Sequence, residues 1–91
     1  MSSVKLYRNK QGQKLYPVCS WENNQHKLYN ASDRATIRWA ETNSEEALAE
    51  CNEIDRLIEV FDGCVINGLV YAVYEDYKKI KDYIAAYDAR H

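Results

Sequence analysis

The chain has 91 residues, 46% of them hydrophobic and 29% charged, with a formal charge of −2 at neutral pH. That length can fill one hydrophobic core and is too short for two, so residues 1–91 are expected to form a single globular domain, with dimerisation as one way to bury more surface. No segment approaches the ~18 consecutive apolar residues of a membrane span, and Met1 to Lys14 lacks the apolar run of a secretory signal, which points to the cytoplasm.

Taken in chain order, Val4 to Arg8 and Lys14 to Ser20 read as two strands of a hairpin. Their loop, Asn9 to Gln13, contains Gly12, which can supply the positive φ that such a connection needs. Pro17 has no N–H to give a ladder, so the second strand is expected to lie at an edge or to stop pairing there. Trp21 closes that segment, and Asn23 to Gln25 read as a polar turn. The tripeptide Lys-Leu-Tyr recurs at Lys5, Lys14 and Lys27, but the unequal intervals and unmatched flanks exclude a structural repeat.

Leu28 to Thr42 carries two patterns. Ala35, Ile37 and Trp39 alternate with Thr36 and Arg38 as in a strand, whereas Leu28, Ala31, Ala35 and Trp39 share one helical face among good helix formers. The helix is the preferred reading, folded back through Thr42-Asn43 as a helical hairpin.

Asn43 to Phe61 is the clearest periodic stretch. Ala47, Cys51, Ile54, Ile58 and Phe61 recur at alternating four- and three-residue steps, and Leu48 and Leu57 widen the stripe to a core-facing breadth. Asn43 is expected to cap the start, with Glu46 reaching back, and Gly63 to end the helix in the left-handed conformation. Asn67-Gly68 then lies between two short β-branched runs, the strongest hairpin signal in the chain. Val73 to Ala89 sets Val73, Tyr77, Ile80, Ile84 and Tyr87 on one stripe, with acids early and Arg90 late, as the helix dipole prefers. Two hairpins and two to three amphipathic helices, without regular strand-helix alternation, predict an α+β domain in which an antiparallel sheet packs against the helices.

The residues that carry chemistry are sparse. Cys19, Cys51 and Cys64 are widely spaced and odd in number, and with His26 and His91 they form no metal-ligand spacing, so free thiols and no metal or cofactor are expected. Cys19 and His26 could meet as nucleophile and base, yet no orienting third group or oxyanion hole accompanies them. Each of the three glycines has a turn to explain it, which leaves no phosphate loop. A non-enzymatic role follows.

Charge is unevenly distributed. Residues 1–40 hold seven bases against two acids, and residues 41–91 hold five bases against twelve acids. The halves therefore attract one another, or else present one basic and one acidic face. Five tyrosines crowd the last twenty-one residues, and tyrosine suits protein interfaces because it is large, rigid and amphipathic. Tyr74 and Tyr83 fall off the core stripe and are the candidate anchors, beside an acidic surface of Glu46, Glu50 and Glu53. These features point to a small protein-binding module, accessory or inhibitor-type, of a size and composition met in proteins of phages and other mobile elements. The alternative is a single-stranded nucleic-acid binder, with Lys5, Arg8, Lys14 and Arg38 contacting phosphates while Tyr7 and Tyr16 stack on bases.

Overall fold

A computed structural model describes residues 7–91. Its elements are β1 (Tyr7–Arg8), β2 (Lys14–Ser20), α1 (Trp21–Thr42), α2 (Glu45–Gly63), β3 (Val65–Ile66), β4 (Leu69–Ala72) and α3 (Tyr74–Arg90). The α+β class expected from the sequence is the one observed. The two hairpins join in one antiparallel sheet of order β1-β2-β4-β3. Val4, Lys5 and Leu6 of the expected first strand lie outside the described residues.

Both hairpin turns follow local chemistry. Gly12 takes φ 81°, and Asn67 and Gly68 take φ 54° and 81°, the paired positive values that a tight two-residue turn requires. The two glycines at Gly63 and Gly68 should therefore respond oppositely to alanine. At Gly68 a Cβ would meet nothing within 4 Å, so the cost is torsional, about 1 kcal/mol or roughly 4–8 °C in Tm for a domain this size. Gly63 has the same free space but ends α2 without a positive φ, and alanine there should gain about 0.5 kcal/mol through helix propensity. Thermal unfolding followed by circular dichroism checks both signs.

Gly63 is thus not the expected left-handed stop. Cys64 leaves the helix at φ −139° and the chain runs directly into β3. The cap at the other end of α2 also differs from expectation. Asn43 adopts the left-handed conformation (φ 55°) and closes α1 through its N–H to the Trp39 carbonyl at 2.7 Å, while the Ser44 hydroxyl accepts from the Ala47 amide at 3.1 Å. A two-residue joint needs one left-handed residue and one extended N-cap, and asparagine tolerates the first better than serine does.

The polar turn expected at Asn23 to Gln25 is helix. α1 begins at Trp21, with Ser20 as its extended N-cap and the Trp21 amide bonded to the Gly68 carbonyl at 2.9 Å. Tertiary contact outweighs the polar run, because the start of the helix is held against the β3–β4 turn. Of the two outcomes expected at Pro17, β2 is not an edge strand, since it lies between β1 and β4, but regular pairing is interrupted there: the register with β4 slips between Pro17 and Cys19. A bulge at that position accommodates a residue that cannot donate.

The core lies between one face of the sheet and the helices. Val18, Val70 and Ala72 meet Leu28, Leu57, Phe61, Ile80 and Ile84, and a smaller cluster of Ala31, Ala35 and Ile54 joins α1 to α2. Leu48, assigned to the core stripe from its spacing, is instead 40% exposed. Polar ties fix the helices: the Asp62 carboxylate accepts from the Trp21 indole and the Tyr29 hydroxyl, both at 2.9 Å. That bond holds the Tyr29 phenol above its ordinary pKa. Lys27–Asp88 at 2.8 Å and Arg38–Glu50 at 2.7 Å pair the basic half with the acidic half.

Candidate binding surface

Three tyrosines from two distant parts of the chain come together where β2 meets the start of α3. Tyr16 lies 5.5 Å from Tyr74 and 6.0 Å from Tyr77, and Tyr74 stacks on Tyr77 at 6.0 Å with an interplanar angle of 15°. The contact follows from the fold. Tyr16 pairs with Ala72 in the β2–β4 ladder, and α3 starts two residues later, so its first turn leans over the exposed beginning of β2.

Cations surround the rings. Lys14 stands 5.1 Å from the Tyr16 centroid, Lys78 4.9 Å from Tyr74 and Lys81 6.0 Å from Tyr77. Each ring face is negative and attracts an ammonium, an effect worth about 0.5–1 kcal/mol at exposed positions. Tyr74 is 52% exposed, whereas Tyr16 and Tyr77 are half-buried. Beside them runs an open cleft of about 510 Å³ lined by Arg8, Lys14, Tyr16, Val73, Tyr74 and Glu75, among others.

Arg8, Lys14 and Tyr16 from the basic alternative therefore share one surface with Tyr74, the first protein-binding candidate. Tyr7 does not join them: its ring meets Tyr71 edge-on at 4.9 Å, as the alternation of side chains along a strand dictates. Arg38 sits towards the far end of α1, engaged with Glu50. Lys5 lies outside the described residues.

The acidic candidates are mostly engaged within the molecule. Glu50 receives Arg38, and Glu53 receives Arg56 at 2.7 Å and Lys79 at 3.1 Å. Glu46 is exposed in the first turn of α2. Tyr83 is half-buried and packs against both core clusters. Burial, then the nearby carboxylates of Glu50 and Glu53, raise its phenol pKa.

The sequence reading does not single out Lys78 and Lys81. The available signal was the doubled spacing Tyr74/Lys78 and Tyr77/Lys81, four residues apart on one helix, which sets each ammonium against its ring. Tyr77, expected on the core stripe, packs its ring on the core.

The groups considered for catalysis sit in ordinary settings. Burial raises the Cys19 thiol pKa, the opposite of the lowered value an activated thiolate needs. His26 rests edge-on against Tyr87 at 5.3 Å. A second cleft, of about 600 Å³ beside β1 and the end of α2, contains the Asp76 carboxylate, which is engaged by Arg56. Among the described residues no group of three His, Cys, Asp or Glu side chains could hold a metal ion, and no helix is long and apolar enough to cross a membrane. The chain matches no protein-family model, no curated protein and no solved structure.

Proposed function

We propose that this protein is a small non-enzymatic binding module that engages a partner protein through the Tyr74 surface, as an accessory or inhibitor-type factor acting in the cytoplasm. The observation that carries the reading is the convergence of Tyr16, Tyr74 and Tyr77 with Lys14, Lys78 and Lys81. A half-exposed aromatic held in place by two others is a rigid anchor that loses little side-chain entropy on docking. Because the rim is cationic and Glu50 and Glu53 are engaged internally, the fitting partner carries acidic groups.

Tyr74→Ala is expected to weaken the complex about tenfold or more while changing Tm little, since the side chain is exposed. Affinity capture with the wild type and the variant, followed by titration of the captured protein against both, reads this directly. Equal retention by the two chains would refute the assignment.

A second reading rests on the same lysines, whose placement over ring faces also suits unpaired nucleotides. Fluorescence anisotropy of a labelled single-stranded oligonucleotide separates the two. Binding that weakens steeply with salt and is lost in Lys78→Glu favours nucleic acid; no binding at low salt leaves the protein partner.

A further inference from the structure

We propose that the cleft between the β1–β2 hairpin and the end of α2 is a small-molecule site for an amphipathic anion, an apolar body ended by one carboxylate. The cleft exists because the hairpin outruns the sheet. Ala72, the last residue of β4, pairs with Tyr16, so Lys14, Leu15 and the loop before them have only β1 beside them. The chain then leaves β4 and enters α3 at Tyr74. The projecting hairpin, the end of α2 and this turn surround a space of about 600 Å³, within the range of about 300–1,000 Å³ that small-molecule clefts occupy.

Its walls differ in chemistry. Leu15, Val60, Tyr71 and Ala72 make it apolar on several sides. Leu15, Val60 and Tyr71 are only half-buried, so they retain surface that a ligand can take out of water. Arg8 and Lys10 border the same space, and residues 8–14 carry Arg8, Lys10 and Lys14 with no acid. Arg8 and Lys14 lie directly opposite one another in the ladder, a like-charge arrangement that costs stability and that a bound anion relieves. The acid in the cleft, Asp76, is already matched, its two oxygens accepting from Arg56 at 2.8 and 3.3 Å. Among the described residues neither Arg8 nor Lys10 has a carboxylate partner. The uncompensated charge of the cleft is therefore positive, and its sign selects an anion.

The hairpin also holds its cations in place. The Asn9 side-chain oxygen accepts from the Gln11 and Gln13 amides at 3.0 and 2.9 Å, and the Asn9 amide donates to the Gln13 carbonyl at 3.0 Å. Arg8 Nη1 donates to the Gly12 carbonyl at 2.7 Å. A loop ordered in this way loses little entropy when a ligand arrives. A carboxylate at Arg8 and Lys10, with its apolar body against Leu15, Val60 and Tyr71, satisfies both kinds of wall. A wholly polar anion would leave the apolar walls wet, and a neutral apolar molecule would leave the cations unmatched.

This site does not rest on the partner proposed for Tyr74. Arg8 borders both clefts, whereas Lys10 lines only this one. Cys64 stands on its wall, half-buried, and Cys19 and Cys51 lie elsewhere. Alkylation of the three thiols, followed by peptide mass spectrometry with decanoate present below its micelle concentration, reads occupancy of the cleft. Decanoate should slow Cys64 by about fivefold or more at saturation and leave Cys19 and Cys51 unchanged. Decanol, decyltrimethylammonium and acetate at the same concentration should slow it by less than about twofold. Lys10→Glu, in an exposed loop, should leave Tm unchanged and raise the decanoate concentration required about tenfold. Lys78→Glu, at the Tyr74 surface, should not alter it. No protection of Cys64, equal protection by decanol or decyltrimethylammonium, slowing of all three thiols together, or wild-type protection in Lys10→Glu would each overturn the inference.

Discussion

Phe61→Ala is expected to destabilise the domain by about 3–5 kcal/mol, the largest effect of any single truncation here. Phe61 is 1% exposed and is the largest fully buried side chain. It lies near the end of α2, in the cluster that also holds Val18 and Val70 of the sheet, Leu28 of α1 and Ile80 of α3. Removing the ring leaves a cavity that rigid neighbours on several sides cannot close, so the cavity cost adds to the lost transfer energy. A domain of this length holds about 5–13 kcal/mol in total, so the variant should lose at least about a quarter of it and, at the lower end, nearly all. Urea unfolding would show the midpoint falling by about 2 M with an unchanged slope. A loss below about 1.5 kcal/mol would mean that the end of α2 packs more loosely than described. Leu48→Ala, on the exposed tip of the same helix, is the control and should cost less than about 0.5 kcal/mol.

The second large effect is expected at Arg56. Its guanidinium donates to both Asp76 oxygens, at 2.8 and 3.3 Å, and also to both oxygens of Glu53 on its own helix, at 2.7 and 3.4 Å. Lys79 completes the group at Glu53, so four side chains clamp α2 to α3. Asp76 has only 12% of its side chain accessible. Arg56→Ala would leave that carboxylate buried without its cation, a loss of about 2 kcal/mol once the partial exposure of the arginine is taken into account. Arg56→Lys should recover only part of it, because an ammonium cannot make the paired contact.

The same clamp predicts a pH dependence. Hydrogen bonds from Arg56, then Lys79, hold the Glu53 carboxyl down at about 2, against 4.5 for the free side chain. A carboxyl depressed in the folded state contributes stability that is fully present above pH 4.5 and lost as pH falls towards 2. Glu53 is about one-third exposed, so screening limits this contribution to about 1 kcal/mol. Wild type should therefore lose more stability than Arg56→Ala across that window. Parallel acid limbs in the two proteins would show that the Arg56–Glu53 bonds contribute nothing in solution.

How much was legible from residues alone depended on the range of the interaction. The stripes of α2 and α3 emerged from periodicity, and the β3–β4 hairpin from Asn67-Gly68, because each is decided within a few residues by side-chain direction or by the cost of positive φ. The first turns of α1 were missed because Glu22, Asn23, Asn24, Gln25 and His26 conceal the stripe that links Trp21 to Leu28. What holds that end is a bond to Gly68, remote in the chain. The exchange of roles between Asn43 and Ser44 was a near miss of the same origin, since two adjacent residues can each cap and only the path of the chain distinguishes them.

The candidate surface shows the same division. Composition identified aromatic and basic residues and marked Tyr74 as lying off the core stripe, but it also joined Arg38 to Lys14 and left Lys78 and Lys81 aside. The stripes of α2 and α3, the β3–β4 turn and the α+β class follow from rules that act locally along this chain. Which acids are neutralised, where Pro17 lies in the sheet, that Tyr16 meets Tyr74, and that Trp39 and Leu48 remain uncovered are consequences of how those elements pack. Packing joins residues that no local spacing relates, and the free energy that selects one arrangement belongs to the buried core as a whole.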